Sequence, residues 1–585
     1  VRGFFGRGLR IFLDDRKFEV FPLSEDDLSL LGGKGLGTRL LARETQAGTD
    51  PLGPGNAVIF TTGPLAGTGM TGVSRYGVYA KSPLTGAYTE SYSGGQVAPA
   101  LKATGFDAIV IKGRASDPVY LAISPQGVEF RPAAGLWGQD TYATEDAILA
   151  ACPKGAQAVV IGPAGENLVL FACLENNRWR SAGRCGLGAV LGSKKVKGLA
   201  FWGNEIAPVA DKAGLDAFTK ALIQRGKDNA GVKTYQTYGT PNLVRILNGA
   251  GTFPTRYWRK GTLDGWEAIS AQRMIQTHKP KARACHRCFI ACGKLVTVPD
   301  GPHAGLTIEG PEYETLYAIG GLCEIRDFSE VAYLNDLCDR LGMDTISLGN
   351  LLAFVMEAGL VSDNPSIPTL AYGDAGAAAR LTEDIAYRRG AGAGLGGGVR
   401  RVAEAWDLRD LAIHVKGLEP AGYDPRVLKG MGLAYATSAR GACHLRSTFY
   451  KAELSGQIDP GTTEGKAALF VDYEDRLALF DTLILCRFFR DLIGWDELGE
   501  LIRLSTGTAL DKNGLSHLAA RVIDATRRYN YREGLTADDD RLPVRFLTEP
   551  LPESGACLTA GEMETMLKEY YSLRGWDAEG RPATE

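Results

Sequence analysis

Three cysteines within eight residues, Cys285-His286-Arg287-Cys288-Phe289-Ile290-Ala291-Cys292, constrain this chain more than any other stretch. The C-x2-C-x3-C spacing collects three thiolates on one loop, too densely for packing and too asymmetrically for a disulfide ladder. Thiolates gathered this way hold a soft metal or an iron–sulfur cluster. A structural zinc site pairs two C-x2-C units; there is no second pair here, although His286 or His303 could complete one. With a fourth ligand from elsewhere, the pattern suits a [4Fe–4S] cluster better. The other cysteines are Cys152, Cys173, Cys185, Cys323, Cys338, Cys443, Cys486 and Cys557. An odd total of 11 in 585 residues is no disulfide framework and fits a reducing, cytoplasmic compartment.

A chain of this length exceeds one hydrophobic core, so roughly two to four domains are expected. A net charge of −3 with no basic run excludes a nucleic-acid-binding reading. The N-terminal stretch carries no signal-peptide pattern, and no apolar window approaches the length of a membrane span.

Residues 1–205 are expected to be β-rich, with strands near 9–13, 57–61, 78–81, 108–112, 119–123, 158–161 and 168–173. Several are too apolar for a one-sided sheet, which predicts two packed sheets with helices. The connections carry Gly63-Pro64, Gly67, Gly69, Gly72, Gly94-Gly95 and a run over 178–192 that mixes Gly183, Gly186 and Gly188 with Arg180 and Arg184. Glycine with arginine on loops lets backbone N–H groups and guanidinium forks approach phosphate, although such turns also occur in ordinary sheets. Gly32-Gly33-Lys34-Gly35-Leu36-Gly37 lacks Walker spacing and is expected to cap a helix from Thr38; no dinucleotide fingerprint is present.

Residues 206–408 and 409–585 are expected to form two mainly helical domains, which makes the class α+β. Helical spacing covers 213–225, 240–248, 268–276, 328–341, 346–358 and 382–389, then 430–440, 465–477, 482–490, 497–505, 516–531 and 559–576. A short strand is expected at 411–415 and a turn over 390–398. No internal repeat is evident. Two hexads nonetheless look alike: Asp339-Arg340-Leu341-Gly342-Met343-Asp344 and Asp481-Thr482-Leu483-Ile484-Leu485-Cys486. They suggest two helix-to-loop turns gripping something pseudo-symmetric, or a coincidence of common residues.

Together with Lys81-Ser82-Pro83-Leu84-Thr85-Gly86, the segment from Ala182 to Lys194, Gly310-Pro311-Glu312-Tyr313-Glu314, Arg440-Gly441-Ala442-Cys443-His444 and Tyr570-Tyr571-Ser572-Leu573-Arg574-Gly575-Trp576-Asp577, these elements resemble the tungsten-containing aldehyde:ferredoxin oxidoreductases nearly end to end. The resemblance implies tungsten, or molybdenum, held by the dithiolenes of two pterins beside a [4Fe–4S] cluster. It implies Cys285, Cys288, Cys292 and Cys486 as cluster ligands. Asp339, Met343, Asp344, Asp481 and Leu485 would hold the pterins. Arg75, Gly94, Gly95, Ala182, Gly183 and Arg184 would meet the pterin phosphates and their magnesium, with Arg440 and Arg446 flanking the active site. Tyr92 stands where the family often has Asn, Ile484 replaces Gly in the second hexad, and Glu330-Val331-Ala332-Tyr333 lacks the histidine of a metal-bridged homodimer. Homo- and hetero-oligomers both stay open.

The implied reaction oxidises an aldehyde to a carboxylic acid and passes electrons to ferredoxin or to dedicated iron–sulfur and flavin subunits. It needs a base near the carbonyl and a donor to its oxygen. Glu312 and His444 match the family's pair, with Tyr423 and Glu314 as second candidates. Taken without the resemblance, Glu312 is a helix-start acid and His444 a core histidine. Two other readings compete. One is a benzoyl-CoA-reductase-type aromatic ring reductase, in which Cys323 would approach the metal; the other is a metal-stabilised, non-catalytic scaffold.

Overall fold

The computed structural model describes residues 2–583, so Val1 and residues 584–585, at the outer ends of the expected first and third domains, lie outside it. The first part of the chain forms two six-stranded sheets. One runs Lys17–Pro22, Arg7–Phe12, Ala108–Lys112, Val58–Thr61, Tyr76–Lys81, Tyr88–Ser93; the other runs Arg180–Ala182, Leu174–Asn176, Gln157–Val160, Val196–Phe201, Val119–Ser124, Gly127–Pro132. Each sheet holds one parallel pair, Arg7–Phe12 with Ala108–Lys112 and Val196–Phe201 with Val119–Ser124, among antiparallel neighbours.

The apolar runs explain the layering. Val58, Phe60, Ile109 and Ile111 of one sheet meet Leu121, Ile123, Leu199 and Phe201 of the other in a shared core. The alternate residues Ile59, Tyr79 and Val110 bury against Leu36, Leu40 and Leu41 of the helix Gly33–Glu44. On the far side of the second sheet, Tyr120, Ala122, Val160 and Ala200 pack on Ile148 of the helix Thr141–Ala150. Strands buried on both faces lose their alternation, which is why they look continuously apolar.

The rest is mainly helical, and one continuous core includes Leu215, Leu334, Leu352, Leu433, Leu479, Leu501 and Met566. A small sheet of Lys281–Arg283, Gly293–Thr297 and Thr307–Glu309 interrupts it, and the three-cysteine loop is the connection between its first two strands.

Several local expectations are corrected. Residues 168–173 are not a strand: Leu168 has φ 57°, and the segment turns so that Cys173 N donates to Gly342 O at 2.9 Å. Residues 411–415 form no strand because the chain reverses through Lys416 (φ 54°) and Gly417 (φ 87°), closing a single Val415–Leu418 bridge. The glycine run is not a plain turn but a 3-10 helix, Gly390–Gly397. Of the glycine run, Gly32 is the N-cap as expected, but the helix starts at Gly33 rather than Thr38, so Gly33, Gly35 and Gly37 lie inside it. The helix expected over 482–490 does not form, since Lys466–Leu483 ends at Ile484 in the left-handed region (φ 58°).

That ending has a counterpart. The helix Phe328–Leu341 stops at Gly342 (φ 73°), so both hexads are helix C-termini with a left-handed residue at the same place. Each abuts a Gly-Pro turn of one sheet. A Cβ on Gly162 would lie 2.3 Å from Leu341 O, and one on Gly63 would lie 2.3 Å from Leu483 O. The two hexads therefore dock on the two sheets in the same way, which the chain order conceals.

Candidate functional site

The two hexads, the cysteine loop and the sheet turns enclose a cavity of about 340 Å³. It is lined by Arg75, Gly94, Gly183, Arg184, Glu312, Glu314, Asp339, Met343, Asp344, Arg440, His444, Arg446, Asp481, Leu485 and all four of Cys285, Cys288, Cys292 and Cys486. Three of the expected residues are not in its wall. Ala182 is buried at the end of its strand, paired with Leu174. Gly95 stands behind Cys285, and Tyr423 lies behind His444. Cys323 is also outside: its thiol is buried in the helical core, 3.4 Å from Gly349 O, so the structure does not bring it to the cavity.

The four cysteines share one wall. Gly95 N donates to Cys285 Sγ at 3.2 Å, and a Cβ on Gly94 would come within 3.0 Å of the same sulfur. Burial pushes the Cys288 thiol up to about 12, with Cys486 adding to the effect. Burial likewise raises Cys292 well above its ordinary value, opposed by Arg180. Burial alone would lower the Arg75 guanidinium, but Cys486, Cys285 and Cys292 outweigh it and hold it up. A half-buried guanidinium thus faces the cysteines. Among the described residues, no three His, Cys, Asp or Glu side chains close on a point as the ligands of a single metal ion do.

Two of the three hexad acids are fixed by arginines. Arg184 Nε donates to Asp344 Oδ2 at 2.9 Å, while Asp344 also caps the helix Thr345–Val361. Asp481 Oδ2 accepts from Arg446 at 2.7 Å and from Arg487 at 2.6 Å. Asp339 has no arginine; Asn335 donates to it at 2.8 Å, and burial, followed by Glu175, drives its pKa far upward. Arg440 is buried without a carboxylate partner: it donates to Glu90 O at 2.7 Å and to Cys443 Sγ at 2.9 Å, and its Nε is unpartnered.

The two candidate acids point to different neighbours. Glu312 accepts from Thr240 Oγ1 and lies toward Cys292 and Arg180. Glu314 Oε2 accepts from Gly422 N at 3.1 Å, and its Oε1 stands unpartnered 3.3 Å from His444 Nε2. Burial raises Glu314 to about 8, against the pull of the Gly422 N–H and Arg184. Burial, then Arg184, Arg440 and Arg446, depress His444 well below its ordinary value, so its imidazole is neutral. The pair is a carboxyl beside a neutral ring, not an ion pair. Tyr423 stacks on His444 with ring centroids 5.5 Å apart.

Glu309, Arg487 and Cys443 are given no role by the sequence, and Arg180 is singled out only as a loop arginine able to approach phosphate. Arg180 pairs with Glu309 across the cavity wall, and Arg487 directly follows the cysteine of the second hexad. Cys443 accepts from Arg440 and, at 3.3 Å, from Leu445 N. Burial raises its thiol, but Arg440 and Arg446 together bring it down to about 6. An arginine three residues on either side was the available signal.

Two family models cover the chain: the N-terminal domain of aldehyde ferredoxin oxidoreductase matches residues 8–203, and domains 2 and 3 match residues 217–585. The tungsten-containing aldehyde ferredoxin oxidoreductases of Thermococcus kodakarensis and Pyrococcus furiosus are each 36% identical to this chain, over 99% of it and 97% of their own length. An aliphatic sulfonate oxidoreductase WOR-like subunit of Pyrococcus furiosus is 28% identical over 99% of this chain and 96% of its own. Among solved structures, the active-site complex BamBC of benzoyl coenzyme A reductase superposes with a TM-score of 0.85 at 22% identity, covering 100% of this chain and 96% of that one, a likeness of fold. The chain belongs to the aldehyde ferredoxin oxidoreductase family.

Proposed function

We propose that this protein oxidises aldehydes to carboxylic acids at a tungsten bis-pterin centre in the cavity, and that the electrons leave through a [4Fe–4S] cluster on Cys285, Cys288, Cys292 and Cys486 to ferredoxin or a partner subunit. The observation that carries this reading is the Glu314–His444 pair, which shares one cavity with all four cysteines.

The residues fit both groups. Four thiols along one wall are the donor set of a [4Fe–4S] cluster. Arg75 and Arg440, which have no carboxylate partner among the described residues, suit the phosphates of pterins and their magnesium, because a guanidinium fork matches phosphate oxygens. Asp339 and Asp481, with Met343, Asp344 and Leu485, would hold the two pterins at matching helix ends. When bound, the metal centre supplies two-electron oxidation, and the cluster passes electrons on singly.

Converting R–CHO and water to R–COOH releases two electrons and two protons. Glu314 is the residue placed to take a proton, since a carboxyl titrating at about 8 exchanges protons near neutrality. His444, a neutral imidazole, can donate a hydrogen bond to the carbonyl oxygen. Tyr423 holds the ring from behind and acts as a positioning residue. His444 is buried and the Glu314 side chain is 19% exposed, so the pair sits at the inner edge of the cavity.

The test is metal analysis of the purified protein together with viologen-coupled assays on benzaldehyde and on benzoyl-CoA. Tungsten with about four irons and aldehyde-dependent dye reduction support the reading. Turnover of benzoyl-CoA alone selects the ring reductase, and protein without metal or turnover selects the scaffold.

A further inference from the structure

We infer that the surface groove beside the cysteine loop is the docking site of an acidic, one-electron carrier protein. This rests on the proposed electron exit through the cluster on Cys285, Cys288, Cys292 and Cys486. The groove, of about 570 Å³, is lined by Gln96, Pro99, Pro153, Lys154, Trp202 and His286 among others. It lies on the opposite side of the loop from the cavity, with Cys285 in the cavity wall and His286, the next residue, in the groove. The partition between them is thin. His286 N donates to Gly95 O at 2.9 Å, and Gly95 N donates to Cys285 Sγ at 3.2 Å. Gln96 continues the same wall and bonds the His286 ring at 3.2 Å. A protein seated in the groove therefore stands one peptide unit from a ligand sulfur.

The charge around the groove selects the partner. No Asp or Glu occurs between Glu267 and Asp300, whereas Arg273, Lys279, Lys281, Arg283, Arg287 and Lys294 all fall there. This is a local excess of positive charge in a chain whose net charge is −3. Lys279, Lys281, Arg287 and Lys154 are exposed, and none makes an ion pair with a described residue. Asn177 ties the elements into one face: its Oδ1 accepts from Gln96 N at 2.8 Å and its backbone O from Arg283 at 3.4 Å, while its amide donates to Gln157 of the groove at 2.9 Å. Glu205, which follows Asn204 of the groove, is turned to Gly105. Lys154 in the groove wall, and the uncovered basic residues of the stretch that carries the cysteine loop, complement a carboxylate-rich surface, and such complementarity acts on encounter and on register. Each aldehyde yields two electrons, so two carriers, each reduced by one electron, dock in turn.

The test uses the full-length holoenzyme carrying Lys154→Glu with Lys281→Glu, a purified acidic ferredoxin, and methyl viologen as a small acceptor. Lys568→Glu on the C-terminal helix controls for net charge. Binding is read by surface plasmon resonance over a salt series, and turnover with each acceptor. The double variant is expected to raise the Kd and the KM for ferredoxin by about tenfold or more. Viologen turnover and the brown absorbance should stay at wild-type levels, and the difference in Kd should shrink as salt rises. An unchanged Kd with intact viologen turnover, or an equal loss in Lys568→Glu, overturns the docking site. Absence of aldehyde-dependent viologen reduction in the wild type would instead count against the proposed function.

Discussion

Glu314→Gln is the decisive perturbation of the proposed chemistry. The substitution keeps shape and the Gly422 N–H acceptor but removes the proton that burial has made labile near neutrality. Raising a carboxyl from 4.5 to about 8 corresponds to roughly 5 kcal/mol of penalty on its charged form. At pH 7 a group titrating at about 8 is roughly one-tenth ionised, and at pH 8 it is half ionised, so a carboxylate base should give about a fivefold rise in kcat between them. Removing a positioned general base costs about 10²–10⁴-fold in rate. The assay is aldehyde-dependent viologen reduction from pH 6 to 9, with tungsten and iron contents matched between proteins. Glu314→Gln should lose at least about a hundredfold in kcat and flatten the profile. Stability gives an independent sign. A folded pKa above the unfolded value supports the fold below 4.5 and is lost as pH rises through about 8, so Gln should remove that decline from urea midpoints. Wild-type kcat with an unaltered break near pH 8 would refute the assignment, and Glu312→Gln, beside Cys292, would become the next variant to test.

Three further outcomes follow from the geometry. Cys288→Ala should abolish the brown iron–sulfur absorbance and lower the bound iron; an unchanged spectrum would remove Cys288 from the ligand set. Cys443→Ser should cost roughly 1–3 kcal/mol in urea unfolding at pH 8, because two buried donors lose a thiolate. Its folded pKa lies below the ordinary thiol value, so its contribution is fully present above about 9 and fades as pH falls through about 6; the gap between variant and wild type should close by pH 5. Gly63→Ala and Gly162→Ala should each destabilise by roughly 1–3 kcal/mol, since the added methyl meets a backbone carbonyl at 2.3 Å; a melting temperature unchanged in both would show that these turns can yield.

Legibility in the chain followed the range of the interactions. The strand Ala108–Lys112 and the helix Phe328–Leu341 have their expected bounds because apolar runs and helical spacing are local signals. The edge strand Lys17–Pro22, almost wholly exposed, and the three-residue strands of the small sheet carry no such pattern. Residues 168–173 carry an apolar run for another reason: from Val169 to Cys173 they are buried, and Ala172 bridges to Met343 of the first hexad. At the site, clustered motifs placed the cysteines, hexads and arginines, and most line one cavity. The difference between Glu312 and Glu314 was illegible. They sit two residues apart on one turn, and only tertiary packing sends one toward Thr240 and Cys292 and the other toward His444.

The hexads carry the same lesson further. Hexad resemblance alone could have been coincidence, since Asp and Leu are common. In the structure, the third residue of each sets its carbonyl against the glycine of a Gly-Pro turn, and the fourth is left-handed in both. The first uses Gly342 there, while the second keeps Ile484, a β-branched residue in a region that costs about 1–2 kcal/mol. Ile484 is 1% exposed and reaches toward Gly33, so burial of its side chain offsets that backbone cost. The departure from glycine therefore leaves the turn intact, and Cys486, two residues on, still lines the cavity with the three loop cysteines. The substitution Ile484→Gly would relieve the backbone but open a cavity between the hexad and the helix Gly33–Glu44. Its expected effect is a net loss of stability measured by urea unfolding, and a gain would show that the backbone cost dominates.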